Sequence, residues 1–140
     1  MFVLLDTNIL IDAMLRRAPW HAEAAVILQL GATRPLDLAV SSLSVANLFY
    51  IGRRIGGAEQ ARLNVRQCLA EFVVLSVDRQ TLAKADEMPG TDFEDNVQMA
   101  VASRAGMDFI VTRDSQGFVN SPVVACSPSE FLQRQVQTPP

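Results

Sequence analysis

The stretch Phe2-Val3-Leu4-Leu5-Asp6-Thr7-Asn8-Ile9-Leu10-Ile11 decides the fold of this chain. Four apolar residues run into an acid, and an apolar run that ends at a polar turn is typical of a strand buried in a parallel sheet. Thr7 or Asn8 can then cap a helix that begins near Ile9. Asp6 is therefore predicted at the carboxyl end of a central strand, where open α/β sheets form their binding crevice. Taken alone, Asp6 could equally serve only to end the strand and cap the helix.

Composition limits the class of protein. The chain has 140 residues, of which 49% are hydrophobic and 19% charged, so a single domain over residues 1–140 is expected. We expect neither a membrane span nor a secretory signal, because no apolar run approaches about 18 residues and Asp6 interrupts the first one. Cys68 and Cys126 lie far apart in apolar stretches, which is typical of buried free thiols in a cytoplasmic protein. The net charge of −3 does not indicate nucleic-acid binding and does not exclude it.

Strands and helices alternate along the rest of the chain. This alternation predicts a three-layer α/β/α fold around a central, mostly parallel sheet of four to five strands. Strands are predicted at residues 2–5, 36–40, 71–77, 107–111 and 123–125. Helices are predicted at 9–15, 20–30, 43–55, 58–70, 79–87 and about 92–105, with a last helix starting at Ser127-Pro128. Residues from about 134 to 140 are expected to form a loose tail.

Three acids stand out by their placement. Asp6 and Asp114 each follow a predicted buried strand, and Asp95 lies in the first turn of a helix, where the helix dipole favours a carboxylate. Asp92 lies three residues before Asp95 and therefore on nearly the same helix face. Singly, each acid is more typical of a helix end or a turn. Jointly they favour a hard divalent cation, because carboxylates about 4–6 Å apart repel one another unless a cation lies between them. Such a cation can support phosphodiester hydrolysis.

The motifs resemble those of the PIN domain family of metal-dependent ribonucleases, especially the VapC-like toxins of bacterial toxin–antitoxin modules. The resemblance covers essentially the whole chain and depends on the order and spacing of four segments. They are LDTNIL at residues 5–10, DFED at 92–95 before an alanine-rich helix, IVTRD at 110–114 followed by Phe118, and SPSEFL at 127–132.

The resemblance implies an Mg²⁺- or Mn²⁺-dependent endoribonuclease that hydrolyses RNA and is the toxin of a toxin–antitoxin pair. The implied partners are an RNA substrate, an antitoxin protein and a second copy of the chain in a homodimer. The implied catalytic metal ligands are Asp6, Asp95 and Asp114, with Asp92 as a further candidate. The implied polar supports are Asn8, Thr112 and Glu94.

Asn47 departs from the usual family pattern. The family usually has a glutamate in the helix after the second strand, and the resemblance is therefore to a subgroup with asparagine there. An amide oxygen can ligate a metal or bind its water, but it carries no charge, so divalent binding should be weaker. Asp92 or Glu94 could compensate, and Asp92 has the better helical register.

The arginines are the candidate RNA ligands, because guanidinium groups match phosphate oxygens. Arg113 is the strongest candidate, since it adjoins Asp114. For Arg16, Arg17, Arg53 and Arg54, a solvated helix end is an equally good interpretation. The only histidine, His21, follows Trp20 at a helix start and is interpreted as structural.

Two other functions remain open from the sequence. Aspartyl-phosphate chemistry also places an acid after the first strand, but it needs a lysine near the phosphate, and the only lysine is Lys84, in mid-helix. A catalytically weak or inactive PIN-like module that binds RNA or protein is the other alternative, and Asn47 is its main support. Asp6→Asn separates the enzyme from the binding module, because only the enzyme should lose its effect on RNA.

Overall fold

A computed structural model describes residues 1–33 and 36–137 and contains alternating strands and helices. The strands are β1 (Phe2–Leu5), β2 (Asp37–Ser41), β3 (Val73–Leu75), β4 (Phe109–Val111) and β5 (Val124–Cys126). The α-helices are α1 (Thr7–Met14), α2 (His21–Thr33), α3 (Ser42–Glu71), α4 (Arg79–Glu87), α5 (Phe93–Ala105) and α6 (Pro128–Gln137). A short 3₁₀ turn over Ser115–Phe118 follows β4 and was not expected from the sequence.

The five strands form one parallel sheet in the order β3-β2-β1-β4-β5. Val3 in β1 pairs with Leu38 on one side and Phe109 on the other, so the opening strand is central, as its apolar run predicts. The chain builds β1 to β3 in one direction and then crosses back to β4. The order therefore reverses between β1 and β4, and ligands of open α/β sheets bind at such a reversal.

A hydrophobic core lies on each face of the sheet, which confirms the predicted three-layer α/β/α fold. On one face, Ile9, Ile27, Leu48 and Phe131 bring α1, α2, α3 and α6 against the strands. On the other face, α4 and α5 pack around the fully buried Leu4 and Ile110, mainly through small and medium side chains such as those of Ala85, Val97 and Ala100. Between the two layers, the starts of α1 and α5 form a cleft at the carboxyl edge of the sheet, and Asp6 and Asp95 line it.

The first helices differ from their predicted bounds for two reasons. Helix α1 begins at Thr7 because Asp6, not Thr7 or Asn8, is its N-cap; the Asp6 carboxylate accepts a hydrogen bond from the Thr7 N–H. Helix α2 does not end at Gly31 but continues to Thr33. A Cβ at Gly31 would meet the Leu38 side chain at 2.5 Å, so this glycine allows close packing of α2 on β2 instead of ending the helix.

The later elements follow the prediction with smaller corrections. Gly57, with φ of 85° and ψ of 167°, kinks α3 between the two helices expected at 43–55 and 58–70. Strand β3 is shorter than the expected 71–77. Helix α6 extends to Gln137, so residues 134–137, expected in the tail, are helical, and residues 138–140 lie outside the described residues. Among the described residues, none of the helices combines the length and apolarity that crossing a membrane requires.

Candidate metal centre

Asp6 lies at the base of a cleft of about 220 Å³ at the carboxyl ends of β1 and β4 and is only 5% exposed. Its Oδ1 accepts a hydrogen bond of 2.8 Å from the Thr7 N–H, and its Oδ2 accepts one of 2.7 Å from the Thr112 hydroxyl. Burial raises the pKa of Asp6 above its ordinary value; these two hydrogen bonds oppose the rise, and the charges of Glu94 and Asp114 add to it. Two hydrogen bonds therefore orient the Asp6 carboxylate, while burial and the neighbouring acids disfavour its charged form.

Thr112 ties the segment after β4 to the segment after β1. Its hydroxyl donates to Asp6 and accepts a hydrogen bond of 3.1 Å from the Asp114 N–H, so the two acids share one buried side chain. Asn8 makes a second link, because its Oδ1 accepts a hydrogen bond of 3.3 Å from the Arg113 N–H. Asn8 and Thr112, two of the residues predicted as polar supports, thus link the segments that carry Asp6 and Asp114.

Asp95 enters the cleft from the first turn of α5. Asp92 is the N-cap of this helix, and its carboxylate accepts a hydrogen bond of 3.1 Å from the Asp95 N–H. Burial raises the pKa of Asp95 to about 7, and the charges of Asp92, Asp6 and Asp114 add to the rise. The acids predicted from separate parts of the chain are therefore close enough to repel one another.

Gly117 marks the point where two of these carboxylates converge. A Cβ built at Gly117 would overlap Asp95 Oδ2 and lie 3.5 Å from Asp114 Oδ2. The Asp95 carboxylate therefore packs directly against Gly117, with Asp114 Oδ2 close by, so two carboxylates from different segments meet at this glycine. Carboxylate oxygens are the donors that a hard cation such as Mg²⁺ prefers.

The donor set suits an ion that keeps much of its own water. Within residues 1–33 and 36–137, no three Asp, Glu, His or Cys side chains already stand close enough together to ligate one ion. Mg²⁺ is usually held by one or two carboxylates and several waters, so the pair at Gly117, with Asp6 beneath, fits that mode of binding. A cation there would also relieve the repulsion that raises the pKa of Asp95.

Asn47 and Glu94 form a pair at the rim of the cleft. The Asn47 amide in α3 donates a hydrogen bond of 3.0 Å to Glu94 Oε1 in α5, and Glu94 lines the cleft beside Asp92. The Asn47 amide therefore orients Glu94. The sequence indicated that Asp92 or Glu94 could compensate for the missing acid, with Asp92 in the better helical register. Of these two acids, Glu94 is the one that contacts Asn47.

A buried polar network below the cleft was missed in the sequence analysis. Gln98, which is fully buried, donates hydrogen bonds of 3.0 Å to the Thr7 hydroxyl and 2.7 Å to the Ser44 hydroxyl. The two hydroxyls lie 2.7 Å apart. This network fastens α1, α3 and α5 together one turn below Asp95. The available signal was Gln98 itself, an amide in an otherwise apolar stretch three residues after Asp95.

Arg113, the strongest candidate RNA ligand from the sequence, is paired with a buried acid. Its Nε donates a hydrogen bond of 2.6 Å to Asp12, which is fully buried, and its guanidinium lies 3.8 Å from the centroid of the Trp20 ring. Arg17 also bonds Asp12, at 3.3 Å, and lines the acidic cleft. The role of Asp12 was not predicted, although an acid within the apolar face of α1 is a signal for a buried ion pair.

The remaining basic candidates lie outside the cleft. Arg16 is exposed just after α1, Arg53 lies 5.7 Å over the ring of Tyr50 in α3, and Arg54 is exposed. The ring of His21 contacts the Asp12 carbonyl at 3.1 Å, consistent with its structural interpretation. Lys84 donates to the Ser103 hydroxyl between α4 and α5, so the one lysine that aspartyl-phosphate chemistry would need is not beside Asp6.

The raised pKa of Asp95 predicts how metal-free stability depends on pH. The folded state keeps a proton up to about pH 7 that the unfolded state, with the ordinary value of 3.8, releases earlier. Stability should therefore fall as pH rises from about 4 to about 7, because deprotonation favours the unfolded state. In EDTA, we expect the thermal unfolding midpoint to drop by a few degrees between about pH 5 and about pH 8. Asp95→Asn should reduce this drop, and an equal drop in both proteins would contradict the prediction.

Solved structures with a similar fold include toxin–antitoxin proteins. The VapBC complex from Salmonella typhimurium, bound to DNA, matches with a TM-score of 0.69 at 18% identity, covering 91% of this chain and 98% of that chain. VapC20 from Mycobacterium tuberculosis, described as a Sarcin-Ricin loop cleaving toxin, matches with a TM-score of 0.68 at 16% identity over 84% of this chain and 94% of its own. A toxin–antitoxin complex from Klebsiella pneumoniae matches with a TM-score of 0.67 at 23% identity, covering 90% and 97%.

Because each identity is below 25%, these similarities show a shared fold and nothing further. A search of curated proteins gave no significant match. The family model for the PIN domain, in contrast, matches residues 2–116, which include Asp6, Asp95 and Asp114. The chain belongs to the PIN domain family.

Proposed function

We propose that this protein is a metal-dependent endoribonuclease, the toxin of a toxin–antitoxin pair, of the subgroup with asparagine at position 47. The observation that carries the proposal is the meeting of the Asp95 and Asp114 carboxylates at Gly117, near enough to Asp6 for its charge to raise the pKa of Asp95. Membership of the PIN family and the likeness to a Mycobacterium tuberculosis protein described as a Sarcin-Ricin loop cleaving toxin support it.

In this proposal Asp6, Asp95 and Asp114 hold Mg²⁺ or Mn²⁺, with Asp92 as a further candidate ligand. When bound, such an ion supplies activation of water and stabilisation of the departing oxyanion. The water oxygen bonds to phosphorus, the bond from phosphorus to the leaving oxygen breaks, and that oxygen takes up a proton. No covalent bond to the protein forms.

The other polar residues position the ligands. Thr112 and the Thr7 N–H fix both oxygens of Asp6, so this carboxylate has little freedom to rotate. Thr112 and Asn8 also hold the backbone that carries Asp114. Asn47 keeps Glu94 at the rim, where its negative charge adds to the attraction for a cation.

RNA cleavage by the purified protein tests this proposal. A single-stranded RNA should be cut in the presence of Mg²⁺ or Mn²⁺ and remain intact in EDTA, and readdition of metal should restore cutting. RNA that is bound but never cut with either metal would refute the nuclease. That result would favour the non-catalytic RNA-binding module that Asn47 suggests.

We propose that the antitoxin occupies a groove of about 540 Å³ along the kinked helix α3. Phe49, Val65 and Leu69 give the groove an apolar lining, and Leu69 and the neighbouring Tyr50 are 60% and 57% exposed. The groove is also lined by basic side chains, those of Arg62 and Arg66. A partner helix with apolar and acidic side chains matches this surface. Coexpression with a short protein from the neighbouring reading frame should yield a complex, and its separate elution would contradict this assignment.

A further inference from the structure

Trp20 is held at the edge of the acidic cleft by a chain of contacts that begins in the core. Asp12 is fully buried, and the Arg113 side chain, 22% exposed, binds both of its oxygens, at 2.6 and 3.3 Å. The Arg113 guanidinium in turn lies 3.8 Å from the centroid of the Trp20 ring. Because the two donors fix the guanidinium on Asp12, the ring rests against a rigid planar support.

The indole is nevertheless exposed. Trp20 is 43% exposed, although Arg113 covers one face of its ring. The ring forms one wall of a pocket of about 260 Å³, whose other walls include Glu23, Arg113 and the start of α6 at Ser127–Ser129. An aromatic ring that is held by a guanidinium group and still keeps a large exposed surface is suited to stack against a flat ligand.

This pocket adjoins the candidate metal centre. Arg17 lines the acidic cleft and lies 5.9 Å from the Trp20 ring centroid, so one side chain separates the two. On the other side, Arg113 directly precedes Asp114 in the chain, and Asn8 in the cleft binds its backbone. A polymer lying in the cleft therefore reaches Trp20 within one or two of its units.

We infer that Trp20 is a stacking platform for a nucleobase of single-stranded RNA, next to the phosphate that is cleaved. Asp12 and Arg113 are positioning residues that hold the ring, and the cationic Arg17 lies toward the phosphate between that base and the cleft. Stacking on an aromatic ring accepts any base, because every base has a π-face. The inference rests on the proposed nuclease function and adds a site for the base beside the cleaved bond.

The fluorescence of Trp20 provides a direct test, because it is the only tryptophan in the chain. The wild-type protein is titrated with a single-stranded oligoadenylate RNA, with Ca²⁺ in place of Mg²⁺ and a gel to verify that the strand stays intact. We expect saturable quenching of the indole emission. A strand of equal length without bases should leave the emission unchanged. Equal quenching by both strands, or none by the RNA, would overturn the inference.

Variants separate stacking from a merely structural role of the ring. With labelled RNA followed by fluorescence anisotropy, Trp20→Ala should weaken binding about tenfold, the loss typical of one stacked base, while Trp20→Phe should keep most of the affinity. The matched control is Phe2→Ala, which removes an exposed aromatic ring at the start of β1, away from the cleft and from the Trp20 pocket. It should leave RNA binding unchanged, and an equal loss for Phe2→Ala and Trp20→Ala would contradict a specific platform.

The outcomes distinguish this inference from the proposed function. Metal-dependent cleavage by the wild type together with unaltered RNA binding by Trp20→Ala would remove the platform and leave the nuclease. Base-dependent quenching without cleavage in Mg²⁺ or Mn²⁺ would leave the platform and refute the nuclease.

Discussion

Asp95→Asn is expected to lower metal-dependent RNA cleavage by about a hundredfold or more. The substitution keeps the size of the side chain and its place in the first turn of α5, but it removes one of the two carboxylates that meet at Gly117. This is also the acid whose pKa burial and the neighbouring acidic charges raise to about 7. Initial cleavage rates in Mg²⁺ and Mn²⁺ measure the effect.

Asp86→Asn is the matched control for this loss of charge. Asp86 is exposed on α4 and does not line the cleft, so the same chemical change there should leave the rate unaltered. If Asp95→Asn cleaved RNA as fast as the wild type, Asp95 would not be a ligand and the carboxylate centre would be wrongly assigned.

Gly117→Ala is expected to impair cleavage almost as strongly while leaving the fold intact. The new Cβ would overlap Asp95 Oδ2, which is the mobile end of a side chain, so Asp95 can swing away without movement of the backbone. That displacement moves the Asp95 carboxylate away from Gly117 and from Asp114. Because 1 Å of misplacement can cost about a hundredfold in rate, we expect a reduction of about that order. Cleavage rates and the thermal unfolding midpoint, measured together, separate the two effects.

Gly56→Ala provides the control for adding a methyl group at a glycine. A Cβ at Gly56 would meet only the Gln60 side chain, at 3.7 Å, which is an ordinary contact. This variant should retain full activity. A Gly117→Ala protein that is folded and fully active would show that the ion is not held by the Asp95 carboxylate in its position beside Gly117.

The sheet was predictable because its local signals agree with one another. Residues 3–5 of β1 are buried on both faces of the sheet, and such strands show as continuous apolar sequence. Gly57 and Gly106 both have positive φ, and each lies where the sequence predicts a break or a helix end. The end of α2 was predicted too early, at residue 30, because the role of the next residue, Gly31, depends on Leu38. Leu38 belongs to another element, so no local pattern can show this contact.

The site shows the same division between local and distant information. Asp6, Asp95 and Asp114 could be proposed because each sits at a recognisable strand or helix end. The partners of Asn47 and Arg113 could not be foreseen, since Glu94 and Asp12 meet them only in the folded chain. For Arg113 the folded chain adds a positioning role, because its guanidinium binds a buried carboxylate.

Calorimetric titration of Mn²⁺ into the metal-free protein tests the central claim most directly. We expect saturable binding by the wild type, lost or strongly weakened binding in both Asp95→Asn and Gly117→Ala, and unchanged binding in Asp86→Asn. Absence of binding by the wild type at millimolar Mn²⁺, or equal binding by Asp95→Asn, would contradict the assignment of the metal centre.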